Sequence, residues 1–166
     1  MSVRNTVVPT TPEPVLGADW SLRPVDEPVT AAPQTARTYA VTAAAGGPAL
    51  LLRVHRVADH PLHSCYPYGA HDLALGLVLP DHGPSGRALG VRLLRAVVPA
   101  LFAADARCRR IVAAPDENDT VTQAALEEGG LVRVTEADLP HASVVLFAAE
   151  PPDLAGMSTA LDDMPH

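Results

Sequence analysis

The stretch Gly83-Pro84-Ser85-Gly86-Arg87-Ala88-Leu89-Gly90 joins an apolar run, Leu73 to Leu79, to an amphipathic one. A glycine-spaced turn at the mouth of a helix can bind an anion. Several N–H groups lack intrahelical partners there, and the helix dipole adds about half a positive charge. Glycine lets a phosphate approach with no Cβ in the way, and Arg87 adds a full cation. The stretch has neither the Gly-Lys-Ser/Thr of a P-loop nor the Gly-x-Gly-x-x-Gly of a dinucleotide site. A plain strand-to-helix connection fits it as well as an anion cradle does. Upstream, His71 and Asp72 open the apolar run. A neighbouring carboxylate could orient an imidazole as a proton acceptor. Strand alternation sends adjacent side chains to opposite faces, however, which favours a polar strand end over a working pair.

Other residues with chemical capacity cluster nearby. His55, His60, His63, Cys65 and His71 crowd one segment, but their spacing matches no standard zinc module, and a solvated loop is the expectation. No metal site is assigned. Tyr66 and Tyr68 could wall an acceptor pocket or simply pack on the domain. Arg107, Arg109 and Arg110 form a basic cluster, whose usual fate is solvation.

The elements that must position these residues follow from periodicity. Residues 20–25 alternate weakly and read as a short strand. Residues 26–37 hold two prolines and read as irregular. Residues 38–45 and 49–57 form strand-like runs around Gly46-Gly47-Pro48, a hairpin signal. Residues 71–80 are apolar on both faces, as a central strand requires. In the helix that follows, Val91, Leu94, Val98 and Leu101 share a face. Pro99 should kink or end it, at a cost of about 3 kcal/mol. A buried strand over 109–115, a helix over 120–130 stopped by Gly129-Gly130, and two closing strands complete the order. Strands lead and βαβα alternation follows, which predicts an α/β domain with a mixed sheet.

Composition sets the bounds. The chain has 166 residues, 48% of them apolar, enough for one domain with a real core. All 12 cationic side chains are Arg, and the net charge is −7, so an extended nucleic-acid surface is not expected. No apolar leader or membrane span is visible. Cys65 and Cys108 form no CxxC pair, and the expected setting is a reducing cytoplasm with both thiols free. The expected organisation is a mobile or edge-draped tail over 1–18, one domain over 19–150 and a flexible tail over 151–166.

Read as a series, Trp20–Asp26, Tyr66–Pro80, Gly86–Asp116, Asn118–Thr120 and Leu126–Phe147 resemble the GCN5-related N-acetyltransferase superfamily. Within it the chain is most similar to the siderophore branch, the mycobactin lysine and aerobactin hydroxylysine acyltransferases. The resemblance implies a GNAT-like, mostly antiparallel sheet with a splayed central strand pair and two main helices. It implies an acyl-CoA substrate. The acyl chain would lie in the splay between strand four, with Leu77, Val78 and Leu79, and strand five. The coenzyme diphosphate would lie on Ser85, Gly86, Arg87, Ala88, Leu89 and Gly90, with Asn118 adding to the site. The acceptor would be a small amine or hydroxylamine.

The departures from the family pattern carry as much information. The [Q/R]-x-x-G-x-[G/A] turn maps to residues 85–90, with Ser85 for Gln/Arg and Ala88 for the central Gly. The branch motif H-D-x-G-x-H maps to His71–Gly76, so its second His, the general base, is Gly76. The acid-Pro-Asp motif reads Ala114-Pro115-Asp116, so its first acid is lost. What remains for catalysis is His71 as base and Asp116 as a substitute acid, although Asp116 could equally cap a loop or helix. Residues 26–37 are also too few for the two helices that the family places between its first two strands. Two expectations therefore stand. One is an acyl-CoA-dependent N-acyltransferase of siderophore or secondary metabolism. The other is a degenerate, non-catalytic relative that binds a ligand or partner, or forms a homodimer through an uncovered sheet face.

Overall fold

The computed structural model describes residues 9–26, 36–59, 63 and 68–152. Seven strands form one sheet: β1 Trp20–Val25, β2 Arg37–Ala43, β3 Leu50–Arg56, β4 Leu73–Val78, β5 Ile111–Ala113, β6 Val132–Leu139 and β7 Ala142–Ala149. Two α-helices, α1 Pro84–Ala104 and α2 Thr120–Glu128, and a short 3-10 helix over Val57–Asp59 complete the described elements. The spatial order is β1-β2-β3-β4-β5-β7-β6. Every neighbouring pair is antiparallel except β4 and β5, which run parallel. The chain is thus a mixed α/β domain, with the apolar run of residues 71–80 as its central strand.

Alternation along β3 shows how the sheet divides its faces. Leu50, Leu52 and Val54 are fully buried in the main core, together with Leu73 and Leu75 of β4 and Leu93, Leu94, Val97 and Leu101 of α1. Leu51, Arg53 and His55 therefore take the opposite face. A smaller cluster of Val57, Ala74, Val112, Val144 and Leu146 fills that second face.

Helix α1 differs from expectation at both ends. It begins at Pro84, capped by Gly83, so residues 85–90 are helical and not an open turn. Proline at the first helical position has its φ already set and gives up only an N–H that would lack a partner anyway. The helix also continues through Pro99 to Ala104. Pro99 lies on the exposed side, where the hydrogen bond it forfeits can be replaced by water. Helix α2 stops at its glycine pair, with Gly130 at φ 106°, but its N-cap is Asp119 and not Asp116: Asp119 accepts the Thr122 N–H at 3.1 Å.

Residues 9–11 are held against the domain. The Arg56 guanidinium donates to the carbonyls of Thr10 at 2.5 Å and Pro9 at 3.3 Å, and Thr11 is buried. Residues 1–8 and 153–166 lie outside the described residues, as does 27–35 of the proline-rich connection between β1 and β2. Among the described residues no helix is long and apolar enough to cross a membrane.

Candidate active site

Strands β4 and β5 pair over two rungs only, Leu73 with Ile111 and Ala74 with Val112. Beyond Ala113 the chain leans onto β7. Val145 N–H donates to the Pro115 carbonyl at 3.0 Å, and Glu117 N–H to the Ser143 carbonyl at 2.9 Å. Asp116 bridges Val144 in the same ladder. Among the described residues no strand then pairs with the upper half of β4 on that side, and the two strands open into a V.

Backbone groups line this V. Leu73 N–H donates across to the Arg110 carbonyl at 3.1 Å. By strand alternation Leu75 and Leu77 turn their N–H and C=O groups the same way, into the gap. Pro115 points its carbonyl at β7, so Ala114 turns its own polar groups the other way. The cleft holds about 360 Å³ and is lined by Leu51, Arg53 and His55 of β3, residues 74–78 of β4, and Ala113 to Pro115, with Thr38, Asp119, Thr122 and Leu126 at its sides. Leu77 and Val78 thus sit in the cleft wall, while Leu79 packs behind it against Gly90.

The structure does not bring His71 or Asp116 to this cleft. His71 precedes β4 at its paired end, opposite the opening. Its Nδ1 lies 3.6 Å from Asp105 Oδ2, and its carbonyl accepts from Arg56 at 2.5 Å. Asp72 is buried and closes the same end, accepting the N–H groups of Gly69 at 2.9 Å, Arg109 at 3.2 Å and Arg110 at 3.1 Å. The retained His-Asp pair therefore anchors the join between β4 and β5. Asp116 is exposed, and its carboxylate accepts the Asn118 N–H at 2.9 Å, a local turn. Asn118 is also exposed on that turn, and Asp119 enters the cleft instead. Of the histidine-rich segment, His60, Cys65 and Tyr66 lie outside the described residues, and no group of potential metal ligands assembles among those described.

The expected diphosphate turn has a different geometry. Four N–H positions open α1. Gly83 N–H is taken by Asp81 Oδ1 at 2.8 Å, and Pro84 has none. Ser85 and Gly86 are the two first-turn amides without an intrahelical acceptor. Arg87 N–H already closes the first helical bond, to Gly83 at 3.1 Å. Ala88, Leu89 and Gly90 follow inside the helix, so their amides belong to it. A groove of about 460 Å³ runs from His82 and Gly83 past Arg87 to α2, and the Arg87 guanidinium pairs with Glu128 across it.

Sequence reasoning passed over Arg53, His55, Thr38, Asp119 and Thr122 as cleft residues. A signal existed, since Leu51, Arg53 and His55 alternate with Leu50, Leu52 and Val54. Choosing which set faces the V requires the β3–β4 register, in which Arg53 faces Gly76 and His55 faces Ala74.

Comparison with known proteins accords with this architecture. The family profile described as an acetyltransferase (GNAT) domain matches residues 15–139. Lysine N-acyltransferase MbtK of Mycobacterium tuberculosis is 31% identical over 104 residues, which is 63% of this chain and 50% of that protein. The chain thus spans about half the length of the curated relative it matches. An uncharacterized protein from Bacillus halodurans superposes with a TM-score of 0.62 at 21% identity, over 70% of this chain and 60% of that one. The aminoglycoside acetyltransferase AAC(6')-Ib, solved with coenzyme A and kanamycin, superposes with a TM-score of 0.62 at 17% identity, over 74% of this chain and 71% of that one. With the split central strands, the helix pair on one face and the matched profile in agreement, the chain belongs to the GNAT acetyltransferase domain family.

Proposed function

We propose that this domain is an acyl-CoA-dependent N-acyltransferase acting on a small amine or hydroxylamine in siderophore or secondary metabolism. The observation that carries the reading is the two-rung pairing of β4 and β5. The V it opens has backbone donors and acceptors on both arms, as an extended pantetheine-like chain with amide groups requires. Amides of Leu75 and Leu77 can pair with that chain and polarise a thioester carbonyl where negative charge develops. The diphosphate would meet the Ser85 and Gly86 amides and the Arg87 cation, with Asp81 and Glu128 as the groups it must displace. The similarity to a lysine N-acyltransferase supports an amine acceptor.

A second reading rests on Gly76 and Ala114. The two positions where the siderophore branch carries a base and an acid hold no ionisable group, which favours a binding protein that has lost catalysis. Thermal melting separates the readings from a fold with no coenzyme site. A ligand that binds only the native state raises Tm, so acetyl-CoA should shift the transition upward. Free-thiol release with a panel of amines then distinguishes transferase from binder. No shift at millimolar coenzyme A would rule out the proposed donor.

A further inference from the structure

Strand β6 is the outermost strand of the sheet, and it carries apolar residues that the rest of the described domain leaves uncovered. Val132 is 68% exposed and Val134 is 46% exposed. Neighbouring apolar side chains left in water mark a surface that something covers. Here they form one wall of a groove of about 540 Å³, and Val98, Pro99 and Phe102 of α1 form the other. The charged lining residues, Arg110 and Glu150, face each other at 3.8 Å, so the walls themselves stay apolar.

The course of the chain points to the occupant. Pro152, the last described residue, lines the same groove. Its backbone is helical, and a proline at the first position of a helix has its φ already set. In the sequence that follows, Leu154, Met157, Leu161 and Met164 recur at steps of three, four and three, and Pro165 closes the run. On a helix, that spacing gathers the four side chains within an arc of about 80° and turns Asp162 and Asp163 away from them. As a helix, residues 153–164 would span about 18 Å. A helix that short, with Gly156 inside it, is marginal alone in water and needs an apolar face to rest on. The groove supplies that face. Attachment at Pro152 also gives the segment a high effective concentration over it, which a second copy of the chain lacks.

We propose that residues 153–164 dock as an amphipathic helix in the groove between α1 and β6, with Leu154, Met157, Leu161 and Met164 laid against Phe102, Val132 and Val134. The groove lies where β4 and β5 are joined, beside Arg110, and not at the cleft, so the proposal stands apart from the acyltransferase reading. Docking removes the two valines from water and shields the free edge of β6 from pairing with other chains.

The test uses the full chain with its methionine methyl groups labelled with 13C. Met157 and Met164 lie on the stripe, and Met1 serves as the reference outside it. The expected result is nuclear Overhauser contacts from the Met157 and Met164 methyls to the methyls of Val132 and Val134. Leu161→Asp should abolish these contacts and lower Tm by about 2–4 °C. Val134→Arg should do the same, and Val134→Arg/Leu161→Glu should restore part of both. Met157 and Met164 methyls at the random-coil position in wild type overturn the proposal. So does a concentration-dependent dimer in sedimentation that Val134→Arg breaks and Leu161→Asp leaves intact, because the occupant is then a second copy.

Discussion

Arg56 and Asp105 meet at 2.8 Å, nearly out of solvent, at the end of the sheet where β4 and β5 are joined. The same guanidinium holds the carbonyls of Pro9, Thr10 and His71. One side chain thus ties the N-terminal segment, the lead-in to β4 and the end of α1 together, opposite the cleft.

Removing one partner of a buried ion pair leaves the other charge uncompensated, at a cost of about 3–5 kcal/mol. Arg56→Met should lower unfolding stability by that order, read from urea denaturation at pH 7. Proteolysis should also cut sooner near residues 9–18, because two of their carbonyl contacts are gone.

Acid sensitivity should trace to Asp105. Burial alone would raise its carboxyl, but hydrogen bonds from Arg56 and the Arg107 N–H, with the nearby charges of Arg56 and His71, hold it below its ordinary value of 3.8. The native state therefore binds fewer protons than the unfolded chain. The resulting stability is present above that value and is lost as pH falls through the lower native one. Asp105→Asn should be less stable than wild type at neutral pH and should show a shallower decline below about pH 4. A variant with the wild-type slope would contradict this account.

Asp72→Ala should destabilise the protein by about 3 kcal/mol, since it strands three backbone N–H groups that now share one carboxylate. Amide exchange at Arg109 and Arg110 should speed up most. Unchanged protection there would mean that these bonds do not hold the β5 lead-in.

At the start of α1, two small substitutions should behave oppositely to what the family turn suggests. Gly86→Ala places a Cβ 2.5 Å from the Asp81 carbonyl oxygen, a backbone atom, and should cost about 1–3 kcal/mol. Ala88→Gly, which restores the family glycine, sits at an exposed helical position and should lose about 1 kcal/mol. Melting curves of the two variants check both. A more stable Ala88→Gly would mean that the turn is not helical in solution.

Cys108 should resist alkylation. Burial pushes its thiol up to about 11 from 9.0, so little thiolate exists in the native state at neutral pH. Iodoacetamide at pH 8 should label Cys108 only at the rate of unfolding, as read by peptide mass spectrometry. The raised value also means that the native state holds its proton longer than the unfolded chain. Stability from this group is present below 9.0 and falls as pH rises through 11.

The sequence by itself determined the elements and the family. A weakly alternating run, two strand-like runs about a Gly-Gly-Pro turn and a run apolar on both faces mark β1 to β4, and a Gly pair stops α2. These signals are local, and the order of strands and motifs carried the resemblance to the acetyltransferases. Only the tertiary structure decided what stands in the cleft. Whether His71 or His55 lines the cleft depends on which end of β4 loses its partner, and on the β3–β4 register. Both are set by residues far apart in the chain: Pro115 and Glu117 pairing with β7, and Asp72 pinning the opposite end. The start of α1 was equally hidden, because a glycine-spaced stretch after Pro84 suits a turn or a helix until packing against Asp81 and α2 selects one. Local propensity names the pieces, while long-range pairing assigns them their neighbours, and the chemistry of a cleft belongs to neighbours.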